Sequence, residues 1–197
     1  LRVREQSLGA NHLDTADTLL KLGGLYREQG QAEEAELLYR HIYKDCLGPF
    51  HNDVGSALNL LAVVVGEQGR YLEAENLHRS ALAQRRHVGA CGPEDLAPMC
   101  YNLGLVVGTN ARKGPASKRA AGEAESEELL REALVVYEQG YGPEHPEVAD
   151  CMDKLAAAVA MNGDLARAEV LHRRALGIIN RTLGESVARR RAGTVLW

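Results

Sequence analysis

Cysteine is scarce in this 197-residue chain. Cys46, Cys91, Cys100 and Cys151 are too few and too scattered for a disulfide scaffold, and none forms a Cys-x-x-Cys pair. They fit reduced thiols in a cytoplasmic setting. No apolar run approaches the 18 or more residues of a membrane span; the best, residues 57–65, is too short and contains Asn59. Nothing resembles a signal peptide, and the chain does not start with Met, so both ends are expected to be cut from something longer. An excess of positive charge is missing as well. With 23 Lys+Arg against 27 Asp+Glu the net charge is −4, which argues against a nucleic-acid partner, because such binding needs a basic face. Aromatics are only 5% of the chain. Catalytic signatures are absent too: no Gly-x-x-x-x-Gly-Lys-Ser/Thr phosphate loop, no His-Glu-x-x-His and no Gly-x-Ser-x-Gly elbow. Cys91 and Cys100 stand nine apart with no His at ligand spacing. The expectation is a protein that is not an enzyme, with no cofactor, no metal and no membrane insertion.

What the chain does have is repetition. Its apolar share, 45%, suffices for a core. Four segments align: Ala35-Glu-Leu-Leu-Tyr-Arg, Ala74-Glu-Asn-Leu-His-Arg, Ser126-Glu-Glu-Leu-Leu-Arg and Ala168-Glu-Val-Leu-His-Arg. They are 39, 52 and 42 residues apart, so the third interval carries about ten extra residues relative to a period near 42. Upstream of each lies a second block, Leu22-Gly23, Leu61-Ala62, Leu103-Gly104 and Leu155-Ala156, with Gly30, Gly69 and Gly163 eight residues after three of the four leucines. A link also recurs, as Leu47-Gly48-Pro49-Phe50-His51, Gly92-Pro93-Glu94-Asp95 and Tyr141-Gly142-Pro143-Glu144-His145-Pro146, with weaker copies at Leu8-Gly9 and Leu183-Gly184-Glu185.

Each repeat predicts two helices. Leu19, Leu22, Leu25 and Tyr26 fall at helical spacing, Gly30 stops that helix, and a second runs over residues 32–47 with Ala35, Leu38, Tyr39 and Ile42 on one face. Later pairs follow at 53–67 and 71–88, 94–107 and 123–139, and 146–161 and 165–183. Gly23, Ala62, Gly104 and Ala156 let paired backbones approach closely. Period-2 alternation, the mark of strands, is absent.

These blocks resemble tetratricopeptide repeats, and the long period with its Leu-Gly-Pro-x-His link is most similar to the kinesin-light-chain type. The resemblance implies an all-α, right-handed superhelical solenoid of antiparallel helix pairs. The chain then divides into the tail of a preceding repeat (1–11), repeat 1 (12–50), repeat 2 (51–92), repeat 3 (93–142) with a basic insert at 109–122, repeat 4 (143–184) and an incomplete next repeat (185–197). Stacked pairs bury a continuous core and present an extended concave surface lined by first helices, which suits a peptide or protein partner. The residues just before each Leu-Gly/Ala step would line it. Among them Lys21, Asn59, Tyr101, Asn102, Asp153 and Lys154 are the candidate groove residues, because Asn can bond both N–H and C=O of an extended chain and Lys offers charge to an acidic partner. The resemblance points to the same positions.

The insert carries Arg112, Lys113, Lys118 and Arg119 and no acid, and its Gly, Pro, Ala and Ser content predicts a mobile loop. It is either a tolerated insertion, a contact for an anionic partner, or a phosphorylation switch at Ser117. Cys100 and Cys151 fall on apolar helix faces and His78 and His172 in the aromatic slot of Tyr39, so packing is their expected role; His51 and His145 belong to the links. Two functional readings compete: a non-catalytic scaffold that binds a peptide or protein along its groove, or the regulatory repeat region of a larger enzyme or motor-adaptor assembly. Oligomeric state is not legible here.

Overall fold

The computed structural model describes residues 13–46, 53–88 and 92–193. The tail at 1–11, the first link with His51, and Cys91 lie outside the described residues, as do the side chains of Cys46 and of the run Arg189-Arg190-Arg191. Eight α-helices follow one another: α1 (Leu13–Glu28), α2 (Ala32–His41, continued by a π-helical turn over Ile42–Cys46), α3 (Asp53–Glu67), α4 (Tyr71–Val88), α5 (Pro93–Lys113), α6 (Ala116–Tyr141), α7 (Pro146–Met161) and α8 (Leu165–Gly193). There is no strand among the described residues.

Consecutive helices form hairpins, α1–α2, α3–α4, α5–α6 and α7–α8, and each hairpin packs on the next through its second helix. First helices also touch first helices, α3 on α5 and α5 on α7, whereas second helices are linked through long Arg–Glu side chains. The first helices therefore line the tighter, inner side of a solenoid. At three of the four hairpin tips the chain reverses on a left-handed glycine, Gly30 (φ 77°), Gly69 (φ 83°) and Gly163 (φ 95°). The next amide reaches back five residues, Gln31 to Tyr26 (2.8 Å), Arg70 to Val65 (3.1 Å) and Asp164 to Val159 (3.2 Å), which satisfies carbonyls the helix end would leave open. In the last link His145 caps α7: its Nδ1 accepts from the Glu147 amide at 3.2 Å, and its ring stacks on Tyr141 at 4.6 Å.

Small residues set the spacing inside each hairpin. A Cβ on Gly23 would lie 2.6 Å from the buried Tyr39 ring, and one on Gly104 would lie 2.9 Å from Leu130 Cγ. In hairpins 2 and 4 the same register carries Ala62 and Ala156, and His replaces the bulkier side chain of the second helix. The recurring Ala-Glu block has two jobs. Ala35, Ala74, Ser126 and Ala168 are buried against the first helix. The Glu that follows each pairs one turn on with Arg: Glu36–Arg40 (2.7 Å), Glu75–Arg79 (2.8 Å), Glu127–Arg131 and Glu169–Arg173 (2.5 Å). Two of these arginines also reach the next second helix, Arg40 to Glu73 (2.6 Å) and Arg79 to Glu125 (2.7 Å). In hairpin 4 that position holds Arg167, and it pairs instead with Glu127 at 3.1 Å.

Residues 109–122, expected to be a loop, are almost entirely helical. By register with Glu28, Glu67 and Met161, α5 should end at Thr109; it continues to Lys113. By register with Ala32, Tyr71 and Leu165, α6 should begin at Glu123; it begins at Ala116. Only Gly114 and Pro115 make the turn. Ala, Lys, Arg and Glu dominate both extensions and are strong helix formers, and Pro115 starts α6 without costing a backbone hydrogen bond. The extensions also pack: a Cβ on Gly122 would lie 2.7 Å from that of Ala111, and one on Gly108 would lie 2.7 Å from Ser126 Oγ. These glycines serve close contact, not mobility. The seven added residues of α6 carry the tip of this hairpin about 10 Å past its neighbours. The second departure is α8, which passes the weak link copy at Leu183 and runs to Gly193. That copy lacks the proline of the other links, so nothing there interrupts the helical hydrogen bonds.

Candidate functional site

The inner face of the first helices gathers the candidate residues in two registers. Lys21, Asn102 and Lys154 sit immediately before the Leu-Gly/Ala step, and Asn59, Tyr101 and Asp153 one residue earlier. The earlier register turns toward the second helix of its own pair. Asn59 is only 9% exposed, and its Oδ1 lies 3.0 Å from His78 Nδ1. An amide oxygen only accepts, so the His78 ring carries its proton on Nδ1. Burial holds that imidazole down to about 4, neutral under ordinary conditions. The expectation that Asn59 lies open in the groove is therefore corrected: a buried ring uses its side chain. The same 19-residue spacing recurs in hairpin 4, where His172 Nδ1 lies 3.0 Å from Asp153 Oδ1, here near the surface.

Across successive first helices the polar groups connect. Asn102 Nδ2 approaches Asn59 Oδ1 at 3.5 Å. The Tyr101 hydroxyl donates to Asp150 at 2.5 Å, and its ring meets Tyr137 edge-on at 6.4 Å. Burial first, then the Asp150 carboxylate, pushes the Tyr101 phenol well above its usual range, so it stays a donor. Lys154 lies 3.2 Å from Asp153 and 3.9 Å from Asp150, and Lys21 pairs with Asp17 at 2.9 Å. Both groove lysines thus already face carboxylates. Asp150 and Asp17, each four residues before a groove lysine, were missed in the sequence; that spacing on one helix face was their signal. Beside Lys154 the face opens into a cleft of about 300 Å³ lined by Leu105, Thr109, Arg112 and Met161. Arg112 there reaches Thr109 Oγ1 at 3.1 Å and Met161 Sδ at 3.5 Å.

Burial pushes the thiols of Cys100 and Cys151 up to about 12, which leaves them inert packing groups. Among the described residues no three His, Cys, Asp or Glu side chains converge as metal ligands. No helix there is long and apolar enough to cross a membrane.

A row of helix hairpins with an inner face of first helices defines an α-solenoid of the protein-interaction class. The chain belongs to the tetratricopeptide-repeat family: one profile of that family matches residues 1–46 and 116–181, and a second matches 54–89. Several solved structures share the fold. Kinesin light chain repeats from Podosopora anserina, nearly identical and TPR-like, superpose with a TM-score of 0.68 at 20% identity, over 92% of this chain and 82% of that one. BtubC (BKLC) from P. vanneervenii gives 0.70 at 22% identity, over 91% and 68%. MamA gives 0.62 at 16% identity, over 93% and 86%. At these identities the likeness is one of fold. No curated protein matches the sequence.

Proposed function

We propose that this chain is a non-catalytic scaffold that receives a peptide or protein segment along the inner face of its first helices. The observation that carries the reading is the row of side chains on successive first helices: Lys21, Tyr101, Asn102, Asp153 and Lys154, with an apolar cleft beside the last. Asn59 supports that row from beneath, through Asn102. The pairings of Lys21 and Lys154 speak against an acidic partner in this groove, because an incoming carboxylate would have to displace Asp17 or Asp153. A polar segment that bonds to Asn102 and Tyr101 through its backbone fits better. Buried free thiols at Cys100 and Cys151 support a reducing, cytoplasmic setting.

A peptide array probed with the full chain and with Asn102→Ala/Lys154→Ala tests the reading. The double variant should keep its far-ultraviolet circular dichroism and lose most captured peptides. Retention of the whole capture pattern would refute the groove assignment.

A further inference from the structure

We propose that the cleft beneath the elongated third hairpin docks a short acidic peptide segment, at a site separate from the inner face. The overhang described above leaves a space of about 870 Å³ between the α5–α6 tip and the α3–α4 turn, within the range of ligand sites. It shares no residue with the candidate groove. Tyr71, Leu72, Val107, Ala111 and Ala121 supply apolar walls, and Leu72 is 73% exposed. The walls are fixed in place. Asn110 Nδ2 donates to the Tyr71 carbonyl (3.1 Å) and to Glu75 (2.6 Å), so the overhang is tied to the preceding hairpin.

Charge identifies the occupant. Every carboxylate that lines the cleft is engaged by arginine: Glu73 by Arg40 and Arg70, Glu75 and Glu125 by Arg79. Arg70 is in turn held by Glu36 and Glu73. Lys113 and Lys118 differ. Among the described residues neither pairs with a carboxylate; Lys113 Nζ rests 3.9 Å from the centre of the Tyr71 ring. The cleft therefore offers apolar walls and two uncompensated cations. An extended peptide sends alternate side chains to opposite sides. Apolar residues then face Tyr71 and Leu72 while carboxylates reach the lysines. Two lysines are too few to hold an anionic lipid surface, which takes clusters of four to eight. The carboxylates on the walls disfavour a nucleic-acid backbone.

The test is fluorescence anisotropy with a fluorescein-labelled Leu-Glu-Leu-Glu-Leu-Glu peptide and the full chain. Saturable binding is expected. It should weaken about ten-fold or more in Lys113→Glu/Lys118→Glu and in Leu72→Asp; all three side chains are exposed, and circular dichroism checks that the helices persist. The Leu-Gln-Leu-Gln-Leu-Gln counterpart should bind at least about ten-fold more weakly. Absence of binding, equal binding of the Gln peptide, or indifference to the lysine reversal would overturn the proposal. So would binding that is lost in Asn102→Ala/Lys154→Ala but kept in the lysine variant, which would put the peptide in the groove. Lysine-dependent binding to phosphatidylserine vesicles without peptide binding would also overturn it. Failure of the groove test leaves this cleft untouched, and the reverse holds as well.

Discussion

Replacing Gly23 by Ala should destabilise the stack, although Ala is the better helix former. The preference for Ala inside a helix is worth about 0.8–1.0 kcal/mol. Against it stands the Tyr39 ring, whose Cε1 and Cζ lie 2.6 and 2.8 Å from where the new methyl would sit. That ring is fully buried and has nowhere to swing. Overpacking of this kind costs about 1–3 kcal/mol, so the net loss is about 1 kcal/mol. Gly177→Ala in α8 provides the opposite case. Its methyl would meet only the Arg181 guanidinium, at 3.6 Å, an ordinary contact with a flexible tip. Propensity then acts alone and the variant gains about 1 kcal/mol. The two variants should differ by about 2 kcal/mol, or about 4–8 °C in Tm for a chain of this size. Thermal and urea unfolding followed by circular dichroism measure the difference, and hydrogen exchange in α1 and α8 localises it if the hairpins unfold separately. Hairpins 2 and 4 supply a rescue: they carry Ala62 with His78 and Ala156 with His172, and an Asn or Asp acceptor for the ring. Leu20→Asn/Tyr39→His should therefore reduce the penalty of Gly23→Ala. The reasoning fails if Gly23→Ala melts above the parent, if Gly177→Ala melts below it, or if the rescue leaves the penalty unchanged.

Two further consequences concern titration and reactivity. His78 titrates near 6.5 when unfolded and at about 4 when folded, so between these pH values only the unfolded chain takes up the proton. Stability should fall as pH drops through that window, by about 3 kcal/mol in all, read as the difference in urea midpoints between the parent and His78→Leu; equal pH slopes would refute it. Cys100 and Cys151, with thiols pushed up to about 12, should react with a maleimide at pH 8 roughly a thousand-fold more slowly than in urea. Site-resolved mass spectrometry would show equal rates if burial were not the cause.

The hairpins were legible because their determinants are local and repeated. Gly30, Gly69 and Gly163 announce the turns, and Ala35, Ala74 and Ala168 announce the close faces. The insert was misread because its composition was weighed one residue at a time. Gly and Pro suggested a loop, but Gly122 lies against Ala111, a contact between two helices that no local window contains. Register also decided the groove. Polar residues on a first helix look alike in the sequence, yet a shift of one position turns a side chain by about 100° around the helix axis. Asn59 and Asp153 face the histidines of their own hairpins, while Lys21, Asn102 and Lys154 sit one step further round. The signal for the inward pair was present as the 19-residue spacing of Asn59 to His78 and of Asp153 to His172. A ring with a free Nδ1 on the second helix requires an acceptor on the first, and Leu20 opposite Tyr39 shows the acceptor disappearing when the ring is not His. Recognition by this groove must then depend on the later register, in which hairpin 2 contributes Leu60 rather than a polar group. A partner lying along it meets an apolar step between Lys21 and Asn102, so its sequence should place an apolar side chain between two polar ones.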